Sequence, residues 1–296
     1  MLPNVVVIRA QKAGTTTLYE WLATHPGIYL APSKEVHFFD RDANYNQGPE
    51  WYEQHFSGAA GYRVVGEVTP DYMQYDYVPG RMFKVLGPQV KLVMLLRNPV
   101  ARAYSQFNFH KMHGVEKRKS FEQALESYKP GGACDRFTHW FDPSYYVERS
   151  RYHERITRFL EYFPKEQIFV GIFEEMFGPG AGSDTLQRLL AFLGAEAFIP
   201  QQEVHANATV VKTGLDRWMQ AFGGKAGLTG LVKKGLSEKN YSRLKARIHG
   251  MTRYSPPGLK PEVKTQLMQR YFMDDIRQLE QWLERDLSIW YGKAAR

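Results

Sequence analysis

Three groups of residues in this chain have types and spacings that suit chemistry. The first is "QKAGTTT" (11–17), two residues after the apolar run "NVVVI". Amides at a helix N-terminus, the helix dipole and a glycine that lets the backbone approach closely together make an anion site. The hydroxyls of Thr15, Thr16 and Thr17 add donors, and Lys12 adds a point charge. A Walker A loop places lysine after its last glycine, whereas here Lys12 precedes Gly14. An ordinary capped turn is the plainer reading, and the clustering of lysine, glycine and threonines favours the anion. The second group is Arg97, which ends the apolar run "KLVMLL", with Ser105 about two helical turns further on. An arginine there can grip a phosphate bidentately, and it can equally pair with a surface carboxylate. A magnesium-dependent phosphate enzyme would place an acid at that strand end. The third group is "KEVHFFD" (34–40), where Glu35 and His37, if extended, project from the same side. A carboxylate beside an imidazole suits general base work, although a lone Glu-x-His is also a common structural pair.

The elements that must position these groups follow from periodicity. "NVVVIR" (4–9), "GIYLAP", "EVHFF", "YRVVGEV" (62–68), "KLVMLLR" (91–97) and "QIFVGIF" (167–173) read as extended segments. A helical pattern starts at Thr15, with Leu18, Trp21 and Leu22 on one face, and stops at His25–Pro26–Gly27. "NPVARAYSQFNFH" has an asparagine cap and a proline at the first helical position. Further helices are expected near 143–163, 184–193 and 261–287. Strands alternating with helices predict a three-layer α/β fold, with a mainly parallel sheet of about five strands. Ligands of such sheets bind at the carboxyl ends of the strands, so the residues just after 8, 68 and 96 are the places to search. One domain over 1–296 is expected, with a glycine-rich excursion near 212–257 and a C-terminal helix packed back on the sheet.

Composition limits the choices further. The chain has 296 residues, 43% hydrophobic and 14% aromatic, enough for a sizeable core. The single cysteine, Cys134, excludes an internal disulfide and a cysteine metal cluster. No run approaches the ~18–20 apolar residues of a membrane span, so a soluble, cytoplasmic protein is expected. The abrupt start at a strand also fits a domain cut from a longer chain. Between Lys212 and Arg253, ten Lys/Arg face two acids, which equals the net charge of +8 of the whole chain. A solvated helical face and an anion-attracting surface both give that pattern. No nucleic-acid-binding motif accompanies the charge, and no nucleic acid partner is expected.

"QKAGTTTL", "KEVHFFD", "GEVTPDYM" and "LLRNPVARAYSQF", in that order, resemble the sulfotransferases that use 3′-phosphoadenosine 5′-phosphosulfate. The similarity is greatest to the heparan-sulfate and carbohydrate branch with its bacterial relatives. It is sharp over 4–110 and looser through 150–170 and the ending "LSIWYG". The resemblance implies the P-loop-like form of the α/β fold. It implies that Lys12, Ala13, Gly14, Thr15, Thr16 and Thr17 form the 5′-phosphosulfate loop, with Lys12 against the bridging oxygen. Arg97 and Ser105 would hold the 3′-phosphate, Glu35 would be the catalytic base and His37 its neighbour. Tyr152 falls where a tyrosine commonly lines the nucleotide site, and Arg253 near the basic loop that closes over it. Two positions depart from the branch. Val68 follows Glu67 where lysine is common, and "MTRYSPPGLKP" replaces a Lys-Gly-Arg-like element. Both departures speak against a polysaccharide acceptor.

The expected reaction is in-line transfer of the sulfuryl group to a hydroxyl or amine, with no metal and with adenosine 3′,5′-bisphosphate as product. The expected partner is a small-molecule, glycan or carrier-tethered acceptor. A nucleotide-dependent kinase and a polyanion binder built on 212–253 are the rival readings. Phe137, Trp140, Phe141, Trp218 and Phe222 are candidates for an apolar acceptor pocket or for core packing.

Overall fold

The computed structural model describes residues 1–126, 128, 145–178, 181–199 and 257–292, with the backbone alone of Arg9, Thr15, Tyr145, 211–212 and 253–254. Five strands form one parallel sheet: β1 Val5–Arg9, β2 Ile28–Leu30, β3 Val64–Thr69, β4 Lys91–Leu96 and β5 Ile168–Ile172, in the order β2-β3-β1-β4-β5. Val5 to Ile8 and Leu92 to Leu96 are essentially inaccessible. A strand covered on both faces cannot alternate polar and apolar side chains, which is why both runs are continuous. Burying each such side chain contributes roughly 1.5–3 kcal/mol.

Among the described residues, helices run α1 Thr15–Ala23, α2 Asp42–Tyr45, α3 Pro49–Glu53, α4 Val78–Leu86, α5 Pro99–Met112, α6 Phe121–Glu126, α7 Tyr145–Glu148, α8 Tyr152–Leu160, α9 Phe173–Phe177, α10 Asp184–Leu193, α11 Pro261–Tyr271 and α12 Met273–Leu283. The expected cap of α5 is present: Oδ1 of Asn98 accepts from the Ala101 N–H at 3.0 Å, and Pro99 opens the helix. The helix expected over 143–163 is broken between α7 and α8, and that over 261–287 is broken at Phe272. α12 packs on α8 and α11 on α5. Asp275 of α12 caps α8, its carboxylate accepting from the N–H groups of Tyr152 (2.6 Å), His153 (3.2 Å) and Glu154 (3.3 Å). Arg285, just beyond α12, donates to the Val170 carbonyl of β5 at 3.3 Å.

From β1 the chain runs to the β2–β3 side of the sheet, and from β4 it runs to β5 on the other side. The carboxyl ends of β1 and β4 therefore flank a switch point, where such sheets bind ligands. Lys212 and Arg253 pair across a two-residue antiparallel ribbon. The rest of the expected excursion, and the aromatics at 137, 140, 141, 218 and 222, lie outside the described residues.

The segment "EVHFF" departs from expectation. It is not a strand: Glu35 and His37 take φ of 65° and 55°. Both values are left-handed, which is uncommon for residues with a side chain.

Candidate active site

Between β1 and α1 the chain makes a tight curl. Lys12 (φ 74°) and Gly14 (φ 89°) are left-handed, and the Ala13 N–H returns to the Ala10 carbonyl at 3.1 Å. A Cβ on Gly14 would lie 2.3 Å from the Phe173 ring. Conformation and space therefore both require glycine. The first N–H groups of α1 have no partner within the helix and present their dipoles outward. Concave backbone of this kind binds anions.

Arg97 follows β4 and reaches across the switch point. Its Nη1 donates to the Lys12 carbonyl at 2.9 Å, and its guanidinium lies 5.1 Å from the centre of the Phe173 ring. Burial lowers its pKa, while Glu174 and Tyr152 act the other way. Phe173, the first residue of α9, thus packs against Gly14 and Arg97 together. Lys12 rests its Nζ 4.8 Å over the Phe109 ring of α5. Ser105 is buried on α5 four residues before Phe109. That spacing places both on one helix face, the face over which Lys12 lies.

Tyr152 is fully buried behind Arg97, and its hydroxyl donates to the Arg97 carbonyl at 2.7 Å. Burial pushes its pKa up. It is a strut for the arginine rather than an exposed lining group. Thr16 Oγ1 accepts from Nζ of Lys34 at 2.8 Å, and Thr17 is buried. The side chains of Thr15 and Arg253 lie outside the described residues.

Lys34 joins this loop to the next one, where Glu35 and His37 meet. His37 Nε2 is 3.8 Å from a Glu35 carboxylate oxygen, and Nδ1 donates to Asp40 Oδ2 at 2.7 Å. Burial alone lowers the His37 pKa. The hydrogen bonds to Asp40 and Glu35 overcome it and raise it to about 9, so the ring is an imidazolium at neutral pH. Glu35 is the more open partner, its side chain 36% exposed. A carboxylate this open beside an imidazolium is placed to exchange a proton with a bound molecule.

Sequence reasoning left three neighbours of this site unassigned. Asp40 holds the ring of His37. Asp71 follows β3, and one polar atom each of His37, Asp40 and Asp71 lies within 4.8 Å of the others. Arg149 is buried, donates to Gln11 Oε1 at 2.8 Å and lies 3.5 Å from Asp71. It therefore links the curl after β1 to the acids around His37. Asp40 stood in the quoted "KEVHFFD" and Asp71 in "GEVTPDYM", while Arg149 gave no local signal. Asp71 and Arg149 are far apart in sequence and meet only in the fold.

Comparison with known proteins gives a consistent result. A family model described as a sulfotransferase domain matches residues 2–213. Heparan sulfate glucosamine 3-O-sulfotransferase 5 of Homo sapiens is 32% identical over 209 residues, covering 70% of this chain and 58% of that protein. Heparan sulfate glucosamine 3-O-sulfotransferase 3B1 of Mus musculus is 29% identical over 211 residues, covering 70% and 50%. The chain thus spans little more than half the length of these curated relatives. A solved structure of a sulfotransferase from Alicyclobacillus acidocaldarius superposes with a TM-score of 0.67 at 25% identity, over 98% of this chain and 99% of that one. No helix among the described residues is long and apolar enough to cross a membrane.

Proposed function

The chain belongs to the sulfotransferase family, and on that premise we propose that it moves a sulfuryl group from 3′-phosphoadenosine 5′-phosphosulfate to an acceptor hydroxyl or amine. The observation that carries this reading is the bond from Arg97 to the Lys12 carbonyl. It joins a cation at the end of β4 to the anion-binding curl after β1, where a magnesium-dependent enzyme would need an acid.

The donor supplies a sulfuryl group on a phosphate leaving group. The curl amides and Lys12 bind its 5′ end and stabilise charge arising on the phosphate. Arg97 and Ser105 hold the 3′-phosphate, and Tyr152 keeps Arg97 in place. Glu35 takes the acceptor proton, oriented by the imidazolium of His37, which Asp40 fixes. Lysine and arginine supply the positive charge, so no metal is assigned. Arg253 is assigned only to the neighbourhood of the basic loop that closes over the nucleotide in the family.

The acceptor is proposed as a glycan, small-molecule or carrier-tethered hydroxyl, and the location as cytoplasmic. The two curated relatives are named for 3-O-sulfation of heparan sulfate glucosamine. Val68, apolar and buried, argues here for a less anionic acceptor.

Calorimetry tests the donor. Adenosine 3′,5′-bisphosphate should bind without metal, and magnesium-ATP should not. Binding of magnesium-ATP alone would sink the reading. Transfer of ³⁵S from labelled donor across a panel of sugars, phenols and alcohols then identifies the acceptor.

A further inference from the structure

Glu67 is a buried carboxyl that the reaction does not use. It lies on β3 beside Val6 of β1, 1% exposed, amid aromatic rings. Burying a carboxyl there is unfavourable unless hydrogen bonds offset it. Three hydroxyls do so: Tyr52 and Tyr72 (3.0 Å) on Oε1, and Thr69 (2.7 Å) on Oε2. Burial still raises the pKa of Glu67 to about 7, against the lowering effect of those bonds.

One of the three hydroxyls reaches further. The Tyr72 oxygen accepts from the Phe38 N–H at 2.9 Å and from the Phe39 N–H at 3.4 Å. Its single proton is committed to Glu67, so its lone pairs face those amides. Phe38 and Phe39 directly follow His37, in a segment with two left-handed residues. Strained backbone of this kind persists only where its surroundings over-determine it. Asn44 holds the carbonyls of Val36 (3.3 Å) and His37 (3.0 Å), and Arg81 that of Phe39 (3.1 Å). The amide side is held by Tyr72.

We propose that Glu67 is a positioning residue for Glu35 and His37, acting through the hydroxyl of Tyr72. The inference rests on the sulfotransferase reading for the meaning of Glu35, and its geometry stands apart from the donor site.

Two substitutions separate this role from plain stability. Tyr52→Phe and Tyr72→Phe each remove one hydroxyl from the same Glu67 oxygen, and only Tyr72 also bonds the loop amides. The first readout is the titration of His37 by NMR of the imidazole-labelled full chain, which needs no acceptor. Its midpoint, expected at about 9 in the wild type, should stay within half a unit in Tyr52→Phe. In Tyr72→Phe it should fall by about one unit or more, as the contacts to Asp40 and Glu35 loosen. The second readout is transfer with ³⁵S-labelled donor. Tyr72→Phe and Glu67→Gln should lower kcat roughly ten- to a hundredfold, the scale of a small misplacement of a reacting group. The donor KM and the affinity for adenosine 3′,5′-bisphosphate should stay within about twofold, below the loss of one net hydrogen bond. Should Glu67→Gln not fold, the two tyrosine variants decide the matter. Equal effects of Tyr52→Phe and Tyr72→Phe, or none from either, would overturn the proposal while leaving nucleotide binding intact. Failure of the wild-type chain to bind the bisphosphate would overturn the sulfotransferase reading and this inference with it.

Discussion

The curl after β1 and the loop after β2 are joined by the bond from Lys34 to Thr16, and they are built in opposite ways. The curl is a strand-to-helix junction. Its left-handed glycine, its helix-terminal amides and its arginine all come from the ends of regular elements. The loop holding Glu35 and His37 belongs to no element. Side chains from distant positions hold it: Asn44, Tyr72, Arg81, and Tyr77, whose hydroxyl donates to the Asp40 carbonyl at 2.9 Å. Binding an anion needs fixed dipoles, which secondary structure supplies cheaply. Placing a base against a reacting proton needs a particular side-chain direction, which strained backbone supplies at a cost.

If that division is real, substitutions on the two sides should fail differently. Gly14→Val is the most severe on the curl side. It needs a left-handed β-branched residue and pushes a Cβ to 2.3 Å from Phe173. Affinity for adenosine 3′,5′-bisphosphate should fall at least about a hundredfold, the loss of two or more charged hydrogen bonds, while the His37 titration stays in place. Arg97→Ala removes one charged group from the same side. It should weaken the bisphosphate about ten- to a hundredfold by calorimetry and leave transfer at saturating donor much less affected. Tyr152→Phe removes only the strut behind Arg97 and should cost about fivefold in affinity, near ~1 kcal/mol. Movement of the His37 titration in any of these three would join what the comparison separates.

A gentler test uses pH. The folded-state pKa of His37 is raised to about 9, above its ordinary value of about 6.5. The stability it contributes is therefore fully present below pH 6.5 and is lost as pH rises through 9. The Tm difference between the wild type and His37→Gln should be largest near pH 6 and should shrink by about pH 9.5. A Tm difference that is the same at both ends would contradict an imidazolium between Asp40 and Glu35.

The same contrast explains what could be read from the sequence. β1, β4, β5 and the cap at Asn98 were legible because period and capping chemistry are local. Lys12, Gly14 and Arg97 were legible because they stand at strand ends. "EVHFF" was misread as extended because its alternation matches a strand, while the forces that bend it come from Asn44, Tyr72 and Arg81. Glu67 stood in a quoted motif, yet its role depends on Tyr52 and Tyr72 converging on one oxygen. Arg149 gave no local signal, since Gln11 and Asp71 become its neighbours only through the order of the strands.

The division of labour is tested most directly by Glu35→Gln, with nucleotide binding and transfer measured on the same preparation. Calorimetry should give an affinity for adenosine 3′,5′-bisphosphate within about twofold of the wild type, less than one net hydrogen bond. Single-turnover transfer of ³⁵S should fall about 10²- to 10⁴-fold, the range for removing a general base. Transfer near the wild-type rate, or a loss of nucleotide affinity that parallels the loss of transfer, would contradict the assignment of Glu35 as the base and of the curl as the separate donor site.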